Sequence, residues 1–135
     1  MKQLLKGITL FSIVSIITSC EEDQGLLPKI SFKTGGNYIS SDTTLAGASP
    51  ILIGIDAAKS EEVDVLKKFN ISLSVNGTTA IPLYNKDLSG SEGDKYTYDL
   101  PAVLDTIHGQ ADKFIFTVTN RDGLVNQVSL TVTIQ

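Results

Sequence analysis

The chain has 135 residues, 41% of them hydrophobic, with 11 Lys+Arg against 15 Asp+Glu and a formal charge of −4. That length holds one domain with a core of its own, and an acidic chain without a Lys/Arg cluster excludes nucleic acid as a partner, because phosphate backbones repel it. One cysteine, Cys20, excludes a disulfide scaffold and a cysteine metal site.

Met1–Lys6 carries Lys2 and Lys6 and no acid; an apolar or small run, Gly7–Ile17, follows, and then Thr18-Ser19-Cys20. The run is shorter than the ~20 apolar residues that span a bilayer, so residues 1–19 read as a signal peptide. Ile17-Thr18-Ser19-Cys20 resembles the lipobox of bacterial lipoproteins. The resemblance implies a diacylglyceryl group on the Cys20 sulfur, cleavage after Ser19 and N-acylation, with the membrane as a partner through that anchor. Two or three acyl chains, at ~0.8 kcal/mol per buried CH₂, hold firmly. Glu21, Glu22 and Asp23 resemble the export tag of Bacteroidota surface lipoproteins, which implies outer-membrane placement with exposure at the cell surface; as plain chemistry they are a solvated tether. Residues 20–26 form that tether. Removing residues 1–19 leaves 116 residues and, with Lys2 and Lys6 gone, a charge of −6.

Residues 27–135 alternate apolar and polar, the mark of strands wet on one face. Ile30 and Phe32 make one set; Ile51, Ile53 and Ile55 another; then Ile71, Leu73 and Val75, with Ser72 and Ser74 opposite. Tyr96, Tyr98 and Leu100 follow, then Phe114, Phe116 and Val118, and last Val128, Leu130, Val132 and Ile134. Asn76-Gly77 predicts a hairpin between 70–75 and 78–84, since both residues tolerate positive φ. Asn120-Arg121-Asp122-Gly123 predicts a second one, and Ser89–Asp94 a flexible loop. The four prolines, Pro28, Pro50, Pro82 and Pro101, fall near strand ends, where a missing N–H costs least. Residues 60–68 predict a helical turn capped by Ser60, and 101–107 a second turn.

About seven strands in this length predict an all-β, antiparallel two-sheet sandwich. Thr117–Gln127 and the alternating strand to Ile134 resemble the last hairpin of bacterial Ig-like domains, although Asn126 stands three residues after Gly123 rather than next to it. The chain thus resembles small Ig-like surface lipoproteins of Bacteroidota, which implies an Ig-like fold. The Cys…Trp…Cys core of antibody domains is missing, because the chain has no Trp and Cys20 precedes the domain.

Candidate chemistry is sparse. Lys33-Thr34-Gly35 lacks the Ser-x-x-Lys partner that β-lactamases need. His108 is the one histidine, in a polar stretch that reads as a solvated loop. Asp94, Asp99, Asp105, Asp112 and Asp122 lie near strand ends without an Asp-x-Asp-x-Asp-Gly loop, so they read as a solvated rim rather than a Ca²⁺ site. Of Tyr38, Tyr84, Tyr96 and Tyr98, Tyr38 alone is expected to be exposed and able to stack on a sugar. No catalytic residue, metal ligand or cofactor is assigned. The expectation is a non-enzymatic Ig-like module on a surface lipoprotein, making protein or glycan contacts; the alternative is a structural or accessory subunit of an envelope assembly.

Overall fold

The computed structural model describes residues 25–135. The expected signal peptide 1–19, the expected lipidation position Cys20 and the Glu21, Glu22, Asp23 cluster lie outside the described residues. Eight strands follow one another: β1 (Lys29–Phe32), β2 (Thr43–Leu45), β3 (Pro50–Ala58), β4 (Leu66–Val75), β5 (Ile81–Asp87), β6 (Lys95–Val103), β7 (Ala111–Asn120) and β8 (Val125–Ile134). They build a three-stranded sheet, β1-β3-β6, and a five-stranded sheet, β2-β8-β7-β4-β5. Lettered in chain order as A, A′, B, C, C′, E, F and G, the sheets are ABE and A′GFCC′. This is a sandwich of the immunoglobulin-like kind.

The period-2 sets form the core. Ile51, Ile53, Ile55 and Ala57 from β3 face Leu66, Phe69 and Ile71 from β4, Phe114, Phe116 and Val118 from β7, and Leu130, Val132 and Ile134 from β8. Phe69 occupies the middle of β4, the strand on which antibody domains carry their Trp. Its ring centroid lies 5.1 Å from Tyr96, 5.6 Å from Tyr98 and 6.2 Å from Tyr84. Tyr96 and Tyr98 belong to the opposite sheet, so this aromatic cluster joins the two layers.

The turn chemistry explains how the strands are joined. Asn76 (φ 50°) and Gly77 (φ 74°) close a two-residue turn, with Thr78 N donating to Val75 O at 3.0 Å. The β5 ladder nonetheless begins at Ile81, later than the predicted 78. Ser74, expected on the wet face, is buried, because its hydroxyl donates to Thr78 O where the hairpin folds over it. At the other hairpin Asn120 Oδ1 accepts from Asp122 N at 3.1 Å and Leu124 N at 2.9 Å, and Gly123 turns at φ 83°. Asn126 spends its Nδ2 on Pro28 O at 2.8 Å, pinning the start of the domain to β8.

Four local expectations are corrected. Residues 60–68 make no helix: a turn ends by Val63 and Leu66 already opens β4. Ser60 donates instead to Leu27 O, across 33 residues. Residues 101–103 continue β6, so the second predicted turn shrinks to the loop after Val103. Ser89–Asp94 is an ordered one-turn 3-10 segment over Gly90–Gly93, its Gly93 packed beneath Val65. The eighth strand, β2, has only three residues and pairs parallel to β8, Leu45 opposite Ile134. It is the one parallel contact among the described strands, and three residues are too few for alternation to show.

Candidate functional site

Alternation gives each sheet a polar outer face, and on β3 the outward positions are Leu52, Gly54, Asp56 and Ala58. Two of them, Gly54 and Ala58, are small. Because β3 lies between β1 and β6, this leaves a depression down the middle of the sheet with longer side chains on both flanks. Ala58 stands between Lys29 and Lys95 in one cross-strand row, and Asp56 between Ser31 and Thr97 in the next. These rows line a groove of about 530 Å³. Lys29 and Lys95 are two strand spacings apart, roughly 9–10 Å between backbones. Among the described residues neither enters an ion pair.

The third row closes one end of the groove. Lys33 N donates to Gly54 O at 2.8 Å, and the Gly35-Gly36 loop then returns the chain so that Ile39 N reaches Leu52 O. The return lays Tyr38 over Gly54. A Cβ on residue 54 would come within 2.6 Å of the Tyr38 ring, 2.7 Å of Lys33 and 2.8 Å of Asp99. Asp99 accepts from Lys33 Nζ at 2.6 Å and from Tyr38 Oη at 3.0 Å, and the Lys33 ammonium lies 5.6 Å from the Tyr38 ring centre. The hydrogen bond from Lys33, with that from Tyr38 behind it, holds the Asp99 carboxyl below the usual carboxylate range. The same contact raises the Lys33 ammonium. Beyond this ridge Asn37, Pro50, Leu52 and Pro101 outline a smaller hollow of about 440 Å³.

The sequence candidates are dispersed. Tyr38 is half-buried on the ridge rather than free to stack, because Gly54 leaves room for its ring. Lys33 of the Lys-Thr-Gly triplet is held by Asp99. His108 is exposed in a turn. Of the five aspartates, Asp99 serves the ridge, Asp94 pairs with Lys59 at 2.7 Å, Asp105 accepts from Thr106 N at 2.7 Å, and buried Asp112 accepts from Gln110 Nε2 at 2.8 Å. Asp122 meets Asp64, whose hydrogen-bonded carboxyl pushes Asp122 above the usual range, with burial assisting. Among the described residues no three His, Cys, Asp or Glu side chains gather as a metal site. Sequence reading missed the groove; the small residue Ala58 at an outward position of β3 was its local signal, while Gly54, four residues earlier, makes room for the Tyr38 ridge.

No known protein family matches the chain, and no curated protein matches it. Solved structures do. A sporulation control protein from Bacillus subtilis superposes with a TM-score of 0.51 at 6% identity, over 81% of this chain and 49% of that one. The chain therefore spans about half the length of that protein, and the likeness is one of fold. A conjugate transposon protein from Bacteroides vulgatus aligns over 88% of this chain and 94% of its own, at 12% identity and a TM-score of 0.48.

Proposed function

We propose that this chain is an outer-membrane lipoprotein, anchored through Cys20 and carried to the cell surface by Glu21, Glu22 and Asp23, whose sandwich is a non-enzymatic module making protein or glycan contacts. The observation that supports a binding role is the groove on the β1-β3-β6 face. Its rows combine hydroxyls at Ser31 and Thr97, a carboxylate at Asp56 and two ammonium groups at Lys29 and Lys95. Much of the exposed lining, which also takes in Ala57, Ala58 and Tyr96, is apolar. The groove therefore suits a ligand with an apolar face that carries anionic groups, such as an acidic sugar, since lysines pair with carboxylate or phosphate while Asp56 accepts from hydroxyls.

Assembly through an edge strand has less support. The edge strand β5 carries Pro82 and a bulge after its Tyr84 pair, and the edge strand β6 carries Pro101; both devices discourage a further strand from pairing.

The test compares cells displaying the wild-type chain, Ala58→Arg and Thr131→Arg, each offered a labelled acidic oligosaccharide such as an oligouronate. Binding falls with Ala58→Arg, which fills the groove, and persists with Thr131→Arg on the other sheet. Equal binding by all three removes the groove as the site. Labelling with a clickable palmitate examines the anchor separately, and label that persists on Cys20→Ala sinks it.

A further inference from the structure

The chain enters the sandwich at one end, and the loops at that end are tied to one another. Leu27 O accepts from Ser60, Pro28 O from Asn126, Val65 O from Arg121 N at 2.9 Å, and Asp94 O from Lys59 N at 3.0 Å. Gly25 lies against Leu124, Asp64 and Glu61. Residues 25–28, 59–65 and 120–126 thus form one surface. It exposes Leu26 at 57%, Leu27 at 53%, Val63 at 63% and Val125 at 45%. Of the remaining exposed large apolar residues, Leu83 lies within β5, and Ile81, Val103 and Ile107 lie toward the opposite end, away from where the chain enters.

Cys20 precedes Gly25 by five residues, so at about 3.6 Å per residue the lipid-bearing sulfur and this surface are held within roughly 18–20 Å of each other. A short link of this kind makes contact between the surface and the bilayer intramolecular, at high effective concentration. The charges here are of both signs. Lys59 bridges Glu62 at 3.3 Å and Asp94 at 2.7 Å, Arg121 stands 3.9 Å from Asp122, and Glu61 and Asp64 add negative charge. With Glu21, Glu22 and Asp23 in the link, acids still outnumber Lys29, Lys59, Lys95 and Arg121 at this end, a balance that tolerates a zwitterionic headgroup layer and opposes an anionic one.

We infer that the end of the sandwich formed by Leu26, Leu27, Val63 and Val125 seats in the headgroup region of a zwitterionic bilayer, fixing the domain upright with its opposite loops pointing away. The inference rests on the Cys20 anchor. Apolar side chains on short loops favour shallow insertion at the acyl boundary. The orientation leaves the groove facing sideways, its long axis along the membrane normal, open to ligands that approach along the surface.

The acylated full chain is reconstituted in phosphatidylcholine–phosphatidylethanolamine vesicles, with single cysteines introduced as Val63→Cys, Val125→Cys or Thr79→Cys and labelled with an environment-sensitive dye. Acylation leaves Cys20 without a thiol, so each label is unique. Thr79 is exposed in the hairpin at the opposite end. Labels at 63 and 125 shift to the blue and are quenched by lipids spin-labelled near the headgroup, several-fold more than the label at 79. Adding phosphatidylglycerol weakens the quenching. Quenching that is equal at all three sites, with the protein still floating with the vesicles, overturns the orientation but leaves the anchor standing. Failure to float overturns both. A dimer in sedimentation that Val63→Glu dissolves, without quenching at 63, assigns the surface to a second copy and overturns the proposal.

Discussion

The outer faces of the two sheets obey the same alternation rule and come out differently. The five-stranded face is carpeted by Lys68, Asn70 and Ser72 on β4, Lys113, Thr117 and Thr119 on β7, and Gln127, Ser129, Thr131 and Thr133 on β8. Outward positions there bear side chains of medium length or longer, apart from the serines and Ala111 at the end of β7, and neighbours such as Ile115 and Ser129 pair across the ladder. The three-stranded face has one interior strand, and its outward residues include Gly54 and Ala58. The short side chain of Ala58 on the middle strand of a narrow sheet leaves a groove, and the missing one at Gly54 is filled by Tyr38, which closes its end. The difference teaches that a surface pattern of polar residues says a face is wet, and that only the sizes along the interior strand say whether it is concave.

Substitutions in the layer between the sheets set the scale for every outer-face effect. Phe69→Ala should be the most damaging, at about 3–5 kcal/mol, since it empties a fully buried site where rings from both sheets converge. Its urea midpoint checks this, and a small loss would mean the sheets are joined elsewhere. On β8 the two faces can be compared within one strand. Leu130→Ala, whose side chain is buried, should cost roughly 2–4 kcal/mol, and Thr131→Ala on the outer face under about 1 kcal/mol. Similar midpoints for the two would break the assignment of inner and outer faces.

Gly54→Ala probes the narrow sheet directly. The new Cβ must push aside the Tyr38 ring, Lys33 and Asp99, all side-chain atoms able to yield, so the cost should be about 1–2 kcal/mol. The ridge should open at the same time, and NMR of the Tyr38 ring and the Asp99 carboxyl would follow it. An unchanged Asp99 titration would show that the ridge does not depend on Gly54.

The smallest effect belongs to the hairpin of the broad sheet. Asp122 is raised by its contact with Asp64, so the folded state holds its proton more tightly than the unfolded chain. Stability from that proton is present at acidic pH and lost as pH rises through the folded value. Asp122→Asn should therefore raise the melting temperature slightly at neutral pH, with the gain vanishing as pH falls below the carboxylate range. A gain independent of pH would point to the turn backbone instead.

The groove was only faintly legible in the chain. Lys33 and Asp99 are 66 positions apart and Tyr38 and Asp99 are 61 apart, and nothing near any of them announces the other two. Tyr38 looked exposed because it follows Gly35-Gly36-Asn37, a stretch that reads as open loop. The helix expected at 60–68 failed for a related reason: its capping serine and charge order suit a helix locally, but Leu66 is claimed by the core and opens β4 opposite Asn120.

Features that depend on neighbours a few residues away were legible in the chain. Period-2 hydrophobicity settled which face of β3, β6, β7 and β8 is buried, because successive side chains in a strand must point to opposite sides. Asn76-Gly77 and Asn120–Gly123 settled two hairpins, because positive φ is cheap there. The tertiary structure alone decided how the strands divide three and five, that β2 joins β8 in parallel, that Gly54 and Tyr38 fit together, and that Asp122 meets Asp64. Each of these brings together residues remote in the chain, and their pairing is chosen by burial of the whole core rather than by any local preference.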